Sequence, residues 1–528
     1  MRNNTVAAMQ LFENMLLLLA LAVLLLQVSR RMSLPYPSML ALAGAVAGLL
    51  PWAPQVSIEP HLALVLFIAP ALLDAAYDTS PRELVRNWLP LTALVVVAVL
   101  LTTAAVAWVG WAHGGLPLAA AITLGAIVAP PDAVAGTTVM QNFRIPRRTL
   151  SIINGESLLN DAVALLIFGA AAAAAMTPHL AISSQLPILA ASVPAGALLG
   201  YLLGKAFVHL APIVAGTMSA TIVEFVMTFG AWLIAEHLKI SPIIAVVVFG
   251  MTVARYFPSR SNARDRVHSY AVWGAAVFAL NVLAFLLMGL QARNIIAQLS
   301  GQARMDALAF AGAVLGTVIV VRLAWVLAYG TVIRALHPAF ERLGVEVPVA
   351  PKRVGVLVGW SGMRGLVTLA TAFALPADFP GRDTIVLAAF AVVLGTLVLQ
   401  GLTLGPLIKR LGIQPDHSLE HELASARTRL VDAALQVLEG QETHKPGVAE
   451  VIQELRADRR ALSNPAEAST VTELDEARLQ ALRSQRRLLH ELRASGEIED
   501  DVFHVIEEEL DWAELNASAA AQARIASV

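Results

Sequence analysis

The sequence has no cysteine in 528 residues, and charged side chains make up only 14% of it. The first absence excludes disulfides, thiolate metal sites and a cysteine nucleophile. The second excludes an ordinary soluble chain, in which roughly a quarter of residues are charged. Phosphate-loop chemistry is missing too: Gly200-Tyr-Leu-Leu-Gly204-Lys205 has one spacer too few and lacks the following Ser or Thr. The histidines are scattered without ligand spacing. No cofactor and no nucleic-acid partner is expected, and work driven directly by ATP is excluded. What remains is apolar. Hydrophobic residues reach 57% and the mean hydropathy is +0.67, the composition of a polytopic membrane protein.

The formal net charge of −2 hides a split. From Asp416 onward there are 23 acidic against 12 basic residues, and before it 16 against 25. A basic membrane body, residues 1–411, is therefore joined to an acidic helical tail, residues 412–528. The first apolar run, Met15–Val28, is followed at once by Arg30 and Arg31 with no small-residue cleavage pattern, so it reads as a retained span.

Windows of about 20 apolar residues place spans near 11–29, 37–52, 60–77, 88–112, 116–139, 150–176, 185–210, 217–238, 241–256, 270–291, 306–333, 353–376 and 383–411. The second is short and the ninth weak, which leaves 12 open beside 13. Alternate loops collect the arginines: Arg30 and Arg31; Arg82 and Arg86; Arg144, Arg147 and Arg148; Arg334, Arg342, Lys352 and Arg353. By the positive-inside rule the N-terminus is outside and the tail cytoplasmic, as a plasma-membrane protein with an odd span number requires. An odd number suggests six spans, a linker span and six inverted spans.

Two spans carry charges where a charge costs roughly 2.5–3.5 kcal/mol. AAAITLGAIVAPPDAVA holds Asp132 beside Pro130–Pro131, which remove two backbone donors and must break the helix. IINGESLLNDAVALLIF holds Glu156 and Asp161. Broken helix in lipid is tolerated only against protein or a wet cavity. A cavity lined with carboxylates at that depth reads as an ion site. On a 3.6-residue helix, Ser157 and Asp161 present oxygens to one spot, with Glu156 and Asn160 aside as support. A helix-start capping pattern is the plainer reading of the same run. Asp132 can meet a half-helix N-terminus, and the carbonyl of Pro131 can face a cation. Asp74 is a further carboxylate candidate, or an interfacial residue near the inside boundary.

The twelfth span, VGVLVGWSGMRGLVTLATAFALP, is interrupted by Gly359, Gly362 and Gly365 around Arg364, and two interrupted spans point to a transporter binding site. Buried cations need partners. Glu156 with Arg364 is the expected ion pair, and Glu224 is the remaining partner for Arg322. Paired intramembrane aspartates also suit a protease, and a non-transporting sensor signalling through the tail is a further alternative. The tail reads as a small helical bundle or dimer-forming arm; whether it takes a regulatory ligand is open.

The runs GAIVAPPDAVA and INGESLLNDAVALLIF, with LLDAAYDTSPRELVRNW before and GWSGMRGLVTLATAFALP after, resemble the first monovalent cation:proton antiporter family. That family takes in bacterial NhaP-type antiporters and animal sodium/proton exchangers. The likeness spans nearly all of 11–411, ESLLND being its specific part, and the end of the tail is similar to the bacterial branch. The resemblance implies an all-α fold of 13 transmembrane helices with crossed, broken fifth and twelfth helices, a homodimer, and alternating access. It implies that Asp161 binds a cation or a proton, surrounded by Asp132, Asn160, Ser157, Asp74 and the Pro131 carbonyl, with Na⁺ held at Asp161, Asp132, Ser157 and Asp74. It makes Glu156–Arg364 a structural ion pair. The Asn160–Asp161 pair is associated there with electroneutral exchange of H⁺ for Na⁺, with Li⁺ or K⁺ as alternatives. One departure touches selectivity: Pro131 stands where the family usually has a hydroxyl residue.

Overall fold

The computed structural model describes residues 20–29, 35–48, 59–140, 145–177, 182–214, 219–257, 262–291, 301–342, 350–413, 418–439, 446–463, 465–495 and 497–525, with a few isolated positions between. Every regular element among the described residues is a helix, with no strand among them. The beginning of the expected first span and residues 49–52 of the second lie outside the described residues.

The membrane unit begins with α1 (Ala20–Ser29), α2 (Tyr36–Gly48) and α3 (residues 60–77), followed by α4 (Pro81–Arg86). Next come α5 (Trp88–Ala112), α6 (Leu118–Val128), α7 (Ala133–Met140), α8 (Arg147–Met176), α9 (Ile182–Val214) and α10 (Ser219–His237). It continues through α11 (Pro242–Tyr256), α12 (Ala263–Leu290), α13 (Gly301–Arg342), α14 (Lys352–Trp360), α15 (Leu366–Phe373) and α16 (Arg382–Leu411). Among the described residues eight helices, the broken α6–α7 counted as one, are long and apolar enough to cross a membrane; α1, α2, most of α3 and α11 are shorter apolar helices.

Two large hydrophobic cores and one small one hold this unit. The first joins α2, α5, α6, α7, α12, α13, α14, α15 and α16, with Phe67 of α3 and Ile153 of α8; the second joins α3, α8, α9, α10, α11 and the first half of α12; the third is Val99, Ala129 and Ala164. Close helix approach relies on small residues, as membrane packing demands. Polar ties cross between helices: α5 contains a π turn over Ala93–Ala98, and Trp325 Nε1 of α13 donates to Ala93 O at 2.8 Å.

Both expected interruptions are present. The fifth span stops at Val128, because Pro130 and Pro131 have no N–H to continue it, and restarts at Ala133. The twelfth stops at Trp360 and restarts at Leu366. The breaks touch, since the Asp132 N–H donates to Met363 O at 2.7 Å.

A second compact unit spans Asp416–Val528. Its helices, α17 (Ser418–Glu439), α18 (Pro446–Ser463), α19 (Pro465–Ser495) and α20 (Asp500–Ile525), pack each on the next. Few side chains are fully buried, among them Leu435, Ile452, Leu489 and Phe503. Ion pairs stitch successive helices: Glu439–Arg456 at 2.7 Å, Glu454–Arg478 at 2.9 Å, and Arg486 with Asp511 and Glu514, both at 2.6 Å. Exposed pairs of this kind contribute little singly.

Candidate functional site

The proline pair leaves a specific hydrogen-bonding problem. The N–H of Asp132 is spent on Met363 O, and that of Ala133 donates to Ser157 Oγ at 3.1 Å. The carbonyls of Val128 and Ala129, which a continuous helix would give to those two N–H groups, are therefore unclaimed by their own helix. Arg364 takes them. Its Nε donates to Val128 O at 3.0 Å and Nη2 to Ala129 O at 3.1 Å, while Nη1 reaches back to Gly362 O. A fully buried guanidinium at the negative end of a half-helix gains from the dipole as well as from three carbonyls.

This corrects the expected Glu156–Arg364 pair. Glu156 instead forms a forked pair with Arg322, whose Nη1 and Nη2 donate to its two oxygens at 2.5 and 2.9 Å. Arg322 Nη2 also donates to Val358 O at 3.2 Å, near the end of α14. The reason is geometric: Arg364 is drawn to the carbonyls freed by Pro130–Pro131, and the Glu156 carboxylate is met by the long α13 arginine. The expected Glu224–Arg322 pair falls with it. Glu224 accepts from Ser269 Oγ at 2.6 Å.

Around the crossing the structure brings together Asp132, Ser157, Asn160, Asp161 and Pro131. Asp132 caps α7, its Oδ1 accepting from Val134 N at 2.9 Å. Asn160 Nδ2 donates to Pro131 O at 2.9 Å, leaving the amide oxygen buried without a partner. Asp132, Ser157 and Asp161 line one cavity of about 70 Å³ with Pro131, Asn281 and Thr368. Asp161 is 8% exposed, and no hydrogen bond or ion pair engages its carboxylate among the described residues. Two glycines keep the crossing open. A Cβ on Gly365 would lie 2.7 Å from Asp132 Cβ, and one on Gly362 would lie 2.9 Å from Arg322 Cζ.

Asp74 is not in this cavity. Ala71 and Ala75 of α3 line it, whereas Asp74, one residue and about 100° round the helix, lines another of about 150 Å³ with Asp78, Glu224, Tyr77, Ser269 and Tyr270. Sequence reasoning missed Asn281 and Thr368. The first is a lone amide in the apolar run FALNVLAFLL, and the second lies three residues past Gly365. Among the described residues no three or more acidic or imidazole groups converge as a metal site. Two carboxylates, a hydroxyl and neutral amide oxygens suit a hard, weakly held ion rather than a resident divalent metal.

An unpartnered buried carboxylate in an oxygen-lined cavity between two broken helices defines a membrane protein organised around an ion site. The chain belongs to the sodium/hydrogen exchanger family, whose model, described as "Sodium/hydrogen exchanger, transmembrane", matches residues 16–410. It is 30% identical to an uncharacterized Na⁺/H⁺ exchanger of Mycobacterium tuberculosis, covering 91% of each chain. It is 28% identical to the Na⁺/H⁺ antiporter NhaH of Halobacillus dabanensis, over 76% of this chain and 98% of that one. Its fold matches the sodium proton antiporter MjNhaP1 from Methanocaldococcus jannaschii with a TM-score of 0.58 at 17% identity, over 76% of this chain and 99% of that one.

Proposed function

We propose that the protein is a secondary antiporter exchanging protons for Na⁺, the two competing for Asp161. The observation that carries this reading is the buried Asp161 carboxylate, unpartnered and facing a cavity shared with Asp132 and Ser157. Loaded with a proton or a cation, the carboxylate is neutralised. Bare and charged, it resists transfer through an apolar barrier, because an unpaired buried charge is costly. That asymmetry couples the two fluxes and suppresses a leak. Asn160 is an amide tied to Pro131 O and takes no second proton, which supports electroneutral one-for-one exchange.

The cavity lies where the two large hydrophobic cores adjoin: Phe67 belongs to one, Leu72 and Leu158 to the other. Movement of one body against the other would expose it to alternate sides. Asp74, Asp78 and Glu224 give the other cavity beside α3 an acidic lining. The arginine distribution supports a plasma-membrane protein with the N-terminus outside and the tail cytoplasmic, and the resemblance supports a homodimer.

A K⁺/H⁺ reading rests on Pro131. That position offers only a carbonyl, already engaged by Asn160, so the site has fewer oxygens to replace the water of a small, strongly hydrated ion. The test uses purified protein in proteoliposomes under an imposed ΔpH, with Na⁺, Li⁺ or K⁺ added in turn. Dequenching by Na⁺ that is indifferent to a valinomycin/K⁺ clamp, and absent in Asp161→Asn, is expected. A response to K⁺ alone moves the function to potassium. Silence with every ion from folded protein favours a non-transporting sensor.

A further inference from the structure

A separate cavity of about 110 Å³ opens between α5, α8, α13 and α14, far in role from the Asp161 site. Among the described residues its charged lining is of one sign: Arg148, Arg334 and Lys352, with the Tyr329 phenol and no carboxylate. These cations come from three elements: the start of α8, the end of α13 and the first residue of α14. Arg148 Nε donates to Asn87 Oδ1 at 2.8 Å and Arg334 Nε to Gly330 O in its own preceding turn at 2.8 Å. The Arg334 bond neutralises no charge. Lys352 has no ion pair among the described residues.

The backbone adds to the same field. α14 begins at Lys352 behind Pro351 with no side-chain cap, and its first internal bonds run from Val354 N and Gly355 N to Pro351 O. The preceding N–H groups and the positive end of the helix dipole thus add to the field at the cavity mouth, which is the ordinary setting for a phosphate. Below the cations the wall is apolar, with Leu94, Val326 and Ile333. Cationic rim over hydrocarbon lining is the complement of one kind of molecule. The ends of α8, α13 and α14 adjoin loops that the arginine pattern assigns to one side of the membrane, so the cavity sits at the level of one leaflet's headgroups.

We propose that this cavity binds the phosphate headgroup of an anionic membrane lipid, with an acyl chain along the apolar wall. Occupancy ties α14, the first half of the broken twelfth span, to α8, which carries Asp161. The lipid therefore braces the two elements that hold the ion site without touching the ion.

Thermal unfolding of the full-length protein in neutral detergent tests it. Phosphatidylglycerol mixed micelles are expected to raise Tm by roughly 3 °C or more, while phosphatidylcholine micelles and inorganic phosphate at equal concentration leave it unmoved. The Arg334→Ala/Lys352→Ala double variant is expected to lose at least half of the shift. Arg382→Ala, at the other end of the spans, keeps it. An equal shift with phosphatidylcholine, a shift reproduced by inorganic phosphate, or an undiminished response in the double variant would overturn the proposal. Native mass spectrometry gives a second reading: retained anionic lipid on the wild type, and its loss from the double variant. None of these readouts depends on which ion is exchanged.

Discussion

The two broken spans solve one problem in opposite ways. The first is stopped by two prolines, which delete donors and leave the carbonyls of Val128 and Ala129 unclaimed. The second is loosened by glycines, which leave space where the chains cross. In each case an arginine donates to carbonyls of the first half-helix: Arg364 for α6 and Arg322 for α14. The difference lies in how the charge is balanced. Arg322 has the Glu156 carboxylate, whereas Arg364 has carbonyl dipoles. The first break also supplies Asp132 to the second, its carboxylate fitting only because Gly365 has no side chain. Stability and the ion site are thus assigned to different residues of neighbouring segments.

Removing Arg364 should give the largest effect. Arg364→Ala leaves three carbonyls buried without donors, a loss of about 3–5 kcal/mol or failure to fold, read by thermal unfolding and by yield of monodisperse protein. Arg364→Lys keeps the charge without the fork and should fall between. Folding of Arg364→Ala with wild-type Tm would break the comparison.

Next comes the ion pair. Glu156→Ala abandons a buried guanidinium and should cost about 3 kcal/mol. A double-mutant cycle sharpens the contrast: Glu156 with Arg322 should show coupling of about 1.5 kcal/mol or more, and Glu156 with Arg364 much less. The reverse ranking would restore the pairing read from the sequence.

Gly365→Ala inserts a methyl group against Asp132. Its strain should be about 1–3 kcal/mol, with exchange reduced more than stability, because the displaced group belongs to the site. A rate unchanged from wild type would remove Asp132 from the site. The smallest effect is expected of Pro131→Ser, within about 1 kcal/mol in stability. It returns a hydroxyl near the crossing and should shift the ratio of Na⁺ to K⁺ rates; an unaltered ratio would make Pro131 irrelevant to selectivity.

Much of this was legible in the chain. Pro130–Pro131 and the glycines around Arg364 announce both breaks, since each acts locally on its own helix. The 157/161 spacing puts Ser157 and Asp161 on one cavity because a helix has a fixed pitch. Partner choice between distant helices was not legible. Which arginine meets Glu156 depends on where α13 and α14 lie, and on carbonyls freed elsewhere; no spacing records that. Asp74 was misplaced by about one residue's rotation, enough to turn a carboxylate from one cavity to another. Asn281 and Thr368 are ordinary polar residues until α12 and α15 are placed beside α8.

The most direct measurement of the central claim is proton release on ion binding. Purified protein in weakly buffered detergent solution is titrated with NaCl against a choline chloride control while pH is followed. Competition at a single carboxylate predicts saturable acidification, one proton for each Na⁺ bound, and none in Asp161→Asn. Sodium binding without proton release, or equal release by Asp161→Asn, would contradict it.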